Sequence, residues 1–182
     1  MAMQSGDRSL PELTALDAHT SLVRIPPETD VPVTPRIRRL IDSAAFRRLA
    51  TVSQLGLVAL VYPGARHTRF EHSLGVYRNA LLYLKKLNLD PRFQALVTRE
   101  DQELFLVAAL LHDIGHWPFC HPIEDMALGN WPRHEVVAAE LLAQTDLSRL
   151  LRDDWSLDPR DVAALLARQV KTPPLRLLST ML

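Results

Sequence analysis

A chain of 182 residues, 47% apolar and 23% charged, can bury one substantial core, which excludes disordered, collagen-like and disulfide-stapled scaffolds. Cys120 is the only cysteine, no apolar run approaches the roughly eighteen residues of a membrane span, and the first twenty residues lack the pattern of a secretory signal, so a cytoplasmic protein is expected. Net charge is zero but unevenly spread: residues 24–86 hold eleven Lys/Arg against four Asp/Glu, and residues 90–182 hold nine against fourteen. A basic first half suits the phosphates of nucleic acid or of a small anionic ligand, and a solvated basic helix face explains it equally well.

Scarce glycine and abundant leucine and alanine predict an all-α domain. Residues 1–15 read as a flexible N-terminus ahead of one domain over residues 16–182. Residues 16–25 suit a short strand or hairpin, and residues 31–35 read as irregular because of their prolines. Thr34-Pro35 marks a helix start, with Ile37, Leu40, Ile41 and Ala44 at helical spacing and Gly56 as the close of that region. Residues 57–62 form a short apolar run. Leu74, Tyr77, Leu81 and Leu84 define an amphipathic helix entered at His72. Asn88 and Asp90-Pro91 separate it from the next, and residues 100–112 form another. A short helix is expected over residues 122–128, a long one from Pro132 to Gln144, another from Asp158 to Val170, and a last apolar run from Pro173 onward. The total is seven or eight helices.

The chemistry concentrates after residues 104–111, an apolar run that delivers His112 and Asp113 side by side, then Gly115, His116, Pro118, Cys120 and His121. His112 and His116 share a helix face, and the Gly115 and Pro118 breaks let Asp113 approach His112. Imidazole and carboxylate together suit a borderline or hard divalent ion; histidines favoured by a helix C-terminal dipole are the plainer explanation. Six of the seven histidines fall between His67 and His134, and five of them sit at predicted helix ends, which suggests a shared pocket. Neither a Gly-rich phosphate loop nor a Gly-x-Ser-x-Gly elbow is present, leaving metal-assisted attack by water as the available chemistry. Cys120 reads as a small buried residue, and Trp131 and Trp155 as core or edge aromatics.

The ordered set Arg69-Phe70-Glu71-His72-Ser73-Leu74-Gly75, His112-Asp113-Ile114-Gly115-His116, Pro118-Phe119-Cys120-His121 and His134-Glu135 resembles the HD-domain phosphohydrolases. Within them it is most similar to the deoxynucleoside triphosphate triphosphohydrolase branch. Phe46-Arg47-Arg48-Leu49, Gln54-Leu55-Gly56 and Tyr62-Pro63-Gly64-Ala65 fit that branch too. The resemblance implies an HD helical bundle and one divalent metal ion (Mn, Fe, Mg, Zn, Ni or Co) held by His72, His112 and Asp113. It implies phosphate contact and catalytic assistance from His116 and His121, a general acid in His134, and an orienting acid in Glu124. Arg69 corresponds to a residue near the phosphates and Gln54 to one facing the sugar. The implied reaction splits a deoxynucleoside triphosphate into deoxynucleoside and tripolyphosphate. Homo-oligomerisation is a further implication. The alternatives are a non-catalytic nucleotide- or nucleic-acid-binding HD module, or another HD phosphatase or phosphodiesterase.

The sequence departs from the family at Trp117, where glycine is usual, and at Cys120, where serine is common; an indole beside the phosphate pocket is expected to narrow it or to change the substrate. The family's fourth metal ligand is an aspartate that follows a segment resembling residues 177–182, so it is expected beyond Leu182. Asp146, Asp153, Asp154, Asp158 and Asp161 all precede that segment.

Overall fold

The fold is built around one helix that is apolar on nearly every side. In this computed structural model, which describes residues 10–18, 21–26, 29–126 and 131–182, the helix spans Arg99–Leu111 and every residue from Gln102 to Leu111 is buried. A helix without a polar face must be enclosed by its neighbours. Its solvent-facing start is fixed by a capping box, in which Thr98 and Asp101 satisfy each other's exposed backbone N–H groups.

In chain order the elements are α1 (Pro11–Ala18), β1 (Leu22–Ile25), β2 (Thr29–Pro32), α2 (Pro35–Asp42), α3 (Ala44–Arg47), α4 (Arg69–Leu87), α5 (Pro91–Leu96), α6 (Arg99–Leu111), α7 (Cys120–Asp125), α8 (His134–Gln144), α9 (Asp146–Trp155), α10 (Pro159–Leu166) and α11 (Pro173–Ser179). Two 3₁₀ turns, Arg48–Thr51 and Gly56–Leu60, connect α3 to α4. α4 packs along α6, and α10 and α11 cover other parts of it. The face of α4 that does so carries Leu74, Tyr77, Leu81 and Leu84, all fully buried. A second capping box, Thr68 with Glu71, sets the entry of α4. The all-α expectation with a short N-terminal hairpin is therefore met, with eleven α-helices among the described residues in place of seven or eight.

Several boundaries differ from expectation. Within the stretch drawn as a flexible N-terminus to residue 15, Leu10 is buried and a helix begins at Pro11. Residues 1–9 lie outside the described residues. The hairpin pairs Leu22–Ile25 with Thr29–Pro32, so Val31 and Pro32 belong to a strand; in a two-stranded sheet Pro32 can take an unpaired edge position. The helical region after Pro35 breaks at Ser43, whose extended backbone ends α2 while its hydroxyl caps α3 by accepting from Phe46 N. The turn over residues 57–62 leaves Leu57 and Leu60 exposed. α7 begins two residues before Pro122 and ends at Asp125, and residues 127–128 of the expected helix lie outside the described residues. α10 stops at Leu166, not Val170. α9 fills a stretch given no element from sequence, though Thr145 caps it through Leu147 N. Trp155 is core, whereas Trp131 is exposed.

α1 is held by charge as well as by Leu10. Glu12 is wholly buried and accepts hydrogen bonds from Thr34 Oγ1 at 2.8 Å, Arg36 Nε at 2.8 Å and Arg36 Nη2 at 2.7 Å. Arg36 Nη2 also reaches Glu103 on α6 at 3.0 Å, and its guanidinium stacks 3.7 Å above the Trp155 ring. One arginine thus ties α1, α2, α6 and α9 together. Arg36→Met should strand the Glu12 carboxylate in the core and cost about 3–5 kcal/mol, the usual penalty for breaking a buried pair from one side. A lower urea midpoint at unchanged denaturant slope checks this.

Candidate metal centre and histidine cluster

Two helix ends bring the first three residues together. Arg69 and His72 lie three apart in the first turn of α4, and His112 is the C-cap of α6, with Asp113 immediately after. The rings of His72 and His112 are 5.1 Å apart, and ligand atoms of His72, His112 and Asp113 all lie within 4.8 Å of one another. His112 Nδ1 donates to the Ala109 carbonyl at 3.0 Å, which leaves Nε2 as the lone-pair nitrogen, 3.4 Å from Asp113 Oδ1. Asp113 is 4% exposed, and Arg69 Nη1 donates to its Oδ2 at 2.9 Å. Burial pushes the Asp113 carboxyl upward, but His112, His116 and Arg69 together outweigh it and hold the pKa below the usual aspartate value. The carboxylate is therefore ionised at neutral pH. Burial first, and then the neighbouring His112, lower the pKa of His72, favouring the neutral imidazole that a metal needs.

The turn after Asp113 is clamped from behind. Arg48 donates from Nη1 to the His116 carbonyl and from Nη2 to the Ile114 carbonyl, both at 2.6 Å. Gly115 sits between those carbonyls, and α8 lies directly against it. A Cβ there would stand 2.1 Å from the His134 carbonyl oxygen and 2.6 Å from Ala138 N. Phe119, with φ of 60°, then reverses the chain into α7 and lays its ring against Gly56.

α7 offers His121 and Glu124 one turn apart. Glu124 accepts from His134 N at 2.8 Å and from His134 Nδ1 at 3.0 Å, so one carboxylate both caps α8 and orients the ring. Burial raises the Glu124 pKa, but the hydrogen bonds from His134 prevail and lower it. With Nδ1 donating, Nε2 is the His134 atom left for proton exchange. His116 Nε2 faces His121 Nε2 at 3.1 Å, and the His116 and His134 rings are 4.2 Å apart. His116 Nδ1 is 3.2 Å from Asp113 Oδ1, off the hydrogen-bond direction. Burial drives the His116 pKa down to about 3, so it is uncharged near neutrality.

All the predicted site residues but Glu124 line one cavity of about 480 Å³. Glu124 acts on it through His134. The side-chain oxygen of Gln54 is buried there without a partner among the described residues. Trp117 is not among the residues that line it. None of the five downstream aspartates lines it either: Asp154 pairs with Arg39, Asp158 caps α10, and Asp161 lines a separate cavity. Cys120 is buried as expected, and burial followed by Glu124 pushes its thiol to about 11. A protonated thiol is a poor ligand, and Glu124 is engaged by His134. The groups His116–Cys120–His134 and His121–Glu124–His134, although compact, therefore fit an ion less well than His72–His112–Asp113. Arg48 and Arg168 also take part in the site; for Arg48 the motif around Phe46 was the only sequence signal.

Residues 69–175 match the HD domain. The chain belongs to the HD-domain family. An uncharacterized protein of Bacillus subtilis, YwfO, is 36% identical over 134 residues, spanning 72% of this chain and 29% of the relative. The deoxynucleoside triphosphate triphosphohydrolase SAMHD1 of Danio rerio is 36% identical over 113 residues, 59% of this chain and 18% of its own. Among solved structures, a hypothetical protein from Aquifex aeolicus superposes with a TM-score of 0.73 at 33% identity, covering 88% of this chain and 41% of that one. A phosphohydrolase from Bacteroides thetaiotaomicron gives 0.63 at 25% identity, covering 82% and 35%. The chain thus spans less than half the length of each. Among the described residues no helix is long and apolar enough to cross a membrane.

In this HD domain, His112→Ala and Asp113→Ala should each lose at least most of the bound divalent metal by elemental analysis, while His121→Ala, outside the trio, keeps it. Full metal content in either of the first two variants would contradict the ligand assignment.

Proposed function

We propose that this HD domain carries a metal-dependent phosphohydrolase site for nucleotides, and that its substrate is a deoxynucleoside triphosphate split by water into deoxynucleoside and tripolyphosphate. The observation that carries this reading is the meeting, in one cavity, of a compact His-His-Asp trio and a histidine held by its own carboxylate. The name of the Danio rerio relative, a deoxynucleoside triphosphate triphosphohydrolase, supports the substrate class.

His72, His112 and Asp113 would hold the ion. A divalent ion there supplies Lewis acidity and a source of hydroxide near neutral pH. The remaining work falls to this chain's own side chains. Arg69, fixed by Asp113, and the N–H groups of the uncharged His116 and of His121 offset charge on the phosphates. Gln54 offers its unpartnered oxygen to a sugar hydroxyl. As the oxygen of water bonds to the α-phosphorus, the bond from phosphorus to the 5′-oxygen breaks. That oxygen takes the proton from His134 Nε2, with Glu124 stabilising the ring while it is charged. His116 cannot take this role: burial leaves it uncharged at neutral pH, and a nearby cation would depress it further.

His134→Ala should lower turnover by about 10²–10⁴-fold with bound metal unchanged. Steady-state kinetics together with elemental analysis checks both halves. Loss of metal in this variant would make His134 a ligand and overturn its assignment as the acid.

A further inference from the structure

The cavity over the histidines continues past them. Its far wall is α10 and the turn that follows, where Ala163, Leu166 and Ala167 give way to Arg168. A second depression of about 400 Å³, between the start of α8 and the end of α10, shares Glu135, Leu166, Ala167 and Arg168 with the first. The two form one groove that leads from the His-Asp trio toward Arg133.

The cations along this groove are not equivalent. Arg69 is committed to Asp113. Arg133 lies 3.6 Å from Glu135, the carboxylate of the outer groove, which also stands 3.6 Å from His134 Nε2. Arg168 is exposed and has no ion pair or side-chain hydrogen bond among the described residues. Its backbone is fixed by the turn that ends α10: Arg168 N donates to the Leu165 carbonyl at 3.1 Å and Gln169 N to the Ala164 carbonyl at 2.8 Å. The φ of Arg168 is 56°. That left-handed position after a helix is where glycine is favoured. The chain carries a long cation at a place where glycine is the favoured residue.

We propose that Arg168 is the cation of an anion subsite that extends the cavity and receives the distal phosphates of an oligophosphate substrate. The subsite rests on the reading of this cavity as a nucleotide phosphohydrolase site, and it would give that site a preference for triphosphates over monophosphates. The trio addresses the phosphorus that is attacked, and Arg168 holds the far end of the chain of phosphates.

The test uses inorganic tripolyphosphate and orthophosphate as probes, titrated calorimetrically into the protein with a chelator present, so that it does not depend on turnover. Arg168→Gln and Arg168→Gly should each weaken tripolyphosphate binding by about tenfold, the loss of one charge-assisted contact, and leave orthophosphate nearly unaffected. Arg168→Lys should retain most of the affinity. Arg168→Gly relieves the left-handed backbone and should melt at or above the temperature of the parent, which separates lost binding from lost folding. In turnover, KM for a deoxynucleoside triphosphate should rise with kcat unchanged. Undiminished tripolyphosphate binding in the Gln and Gly variants, or no such binding by the parent, overturns the subsite. Binding that depends on Arg168 in a protein that hydrolyses no nucleotide would uphold the subsite and refute the hydrolase reading.

Discussion

The site depends on the bare Cα of Gly115. α6 ends at His112 and Asp113 and α8 begins at the histidine held by Glu124, and the two meet where a side chain would collide with backbone. The His134 carbonyl oxygen lies 2.1 Å from where a Cβ would be. Backbone cannot yield as the end of a flexible side chain can, so any larger residue must push α8 away. His134 would then leave the His116 ring now 4.2 Å from it. Arg48 fixes the other side of the same turn through the carbonyls of Ile114 and His116. The turn is held between a guanidinium and a helix, and its position sets the spacing between the His72–His112–Asp113 trio and His134.

Two carboxylates, the buried Asp113 and the half-buried Glu124, divide the electrostatics. Asp113 is paired with Arg69 and placed to face an ion; Glu124 is paired with His134 and placed to hold a ring. In both cases burial alone would favour the protonated acid, and specific partners keep the charge in place. The uncharged His116 lies between them, within 3.2 Å of Asp113 Oδ1 and beside the His134 ring. In the proposed reading a phosphate chain would meet an ion held by the trio beside Arg69, the N–H groups of His116 and His121 along the middle, and Arg168 at the rim.

Much of this was legible in the sequence. The continuous apolar run of α6 and the period of α4 follow from burial, which imprints directly on residue order, and Thr34-Pro35 is a local capping signal. The histidines gathered because each stood at a break, and a helix end is where a side chain can face a pocket. Contacts made over distance were less legible. The segment around Glu12 has no apolar stripe, and its helix is held by Arg36, 24 residues away. Gly115 reads in sequence as a helix breaker; its contact with His134 exists only in three dimensions. The break at Ser43 had a capping residue in plain view, but the apolar spacing ran through it and concealed it. Arg168 gave no local sign because its importance comes from what α8 and α10 enclose.

The central claim is that water attacks the α-phosphorus while His134 protonates the departing 5′-oxygen. Hydrolysis of a deoxynucleoside triphosphate in ¹⁸O-labelled water, followed by ³¹P NMR and mass spectrometry of the products, tests it most directly. The account predicts that the label enters an end phosphate of intact tripolyphosphate and that the deoxynucleoside carries none. Label in the deoxynucleoside, or release of orthophosphate or pyrophosphate as the first product, would contradict it.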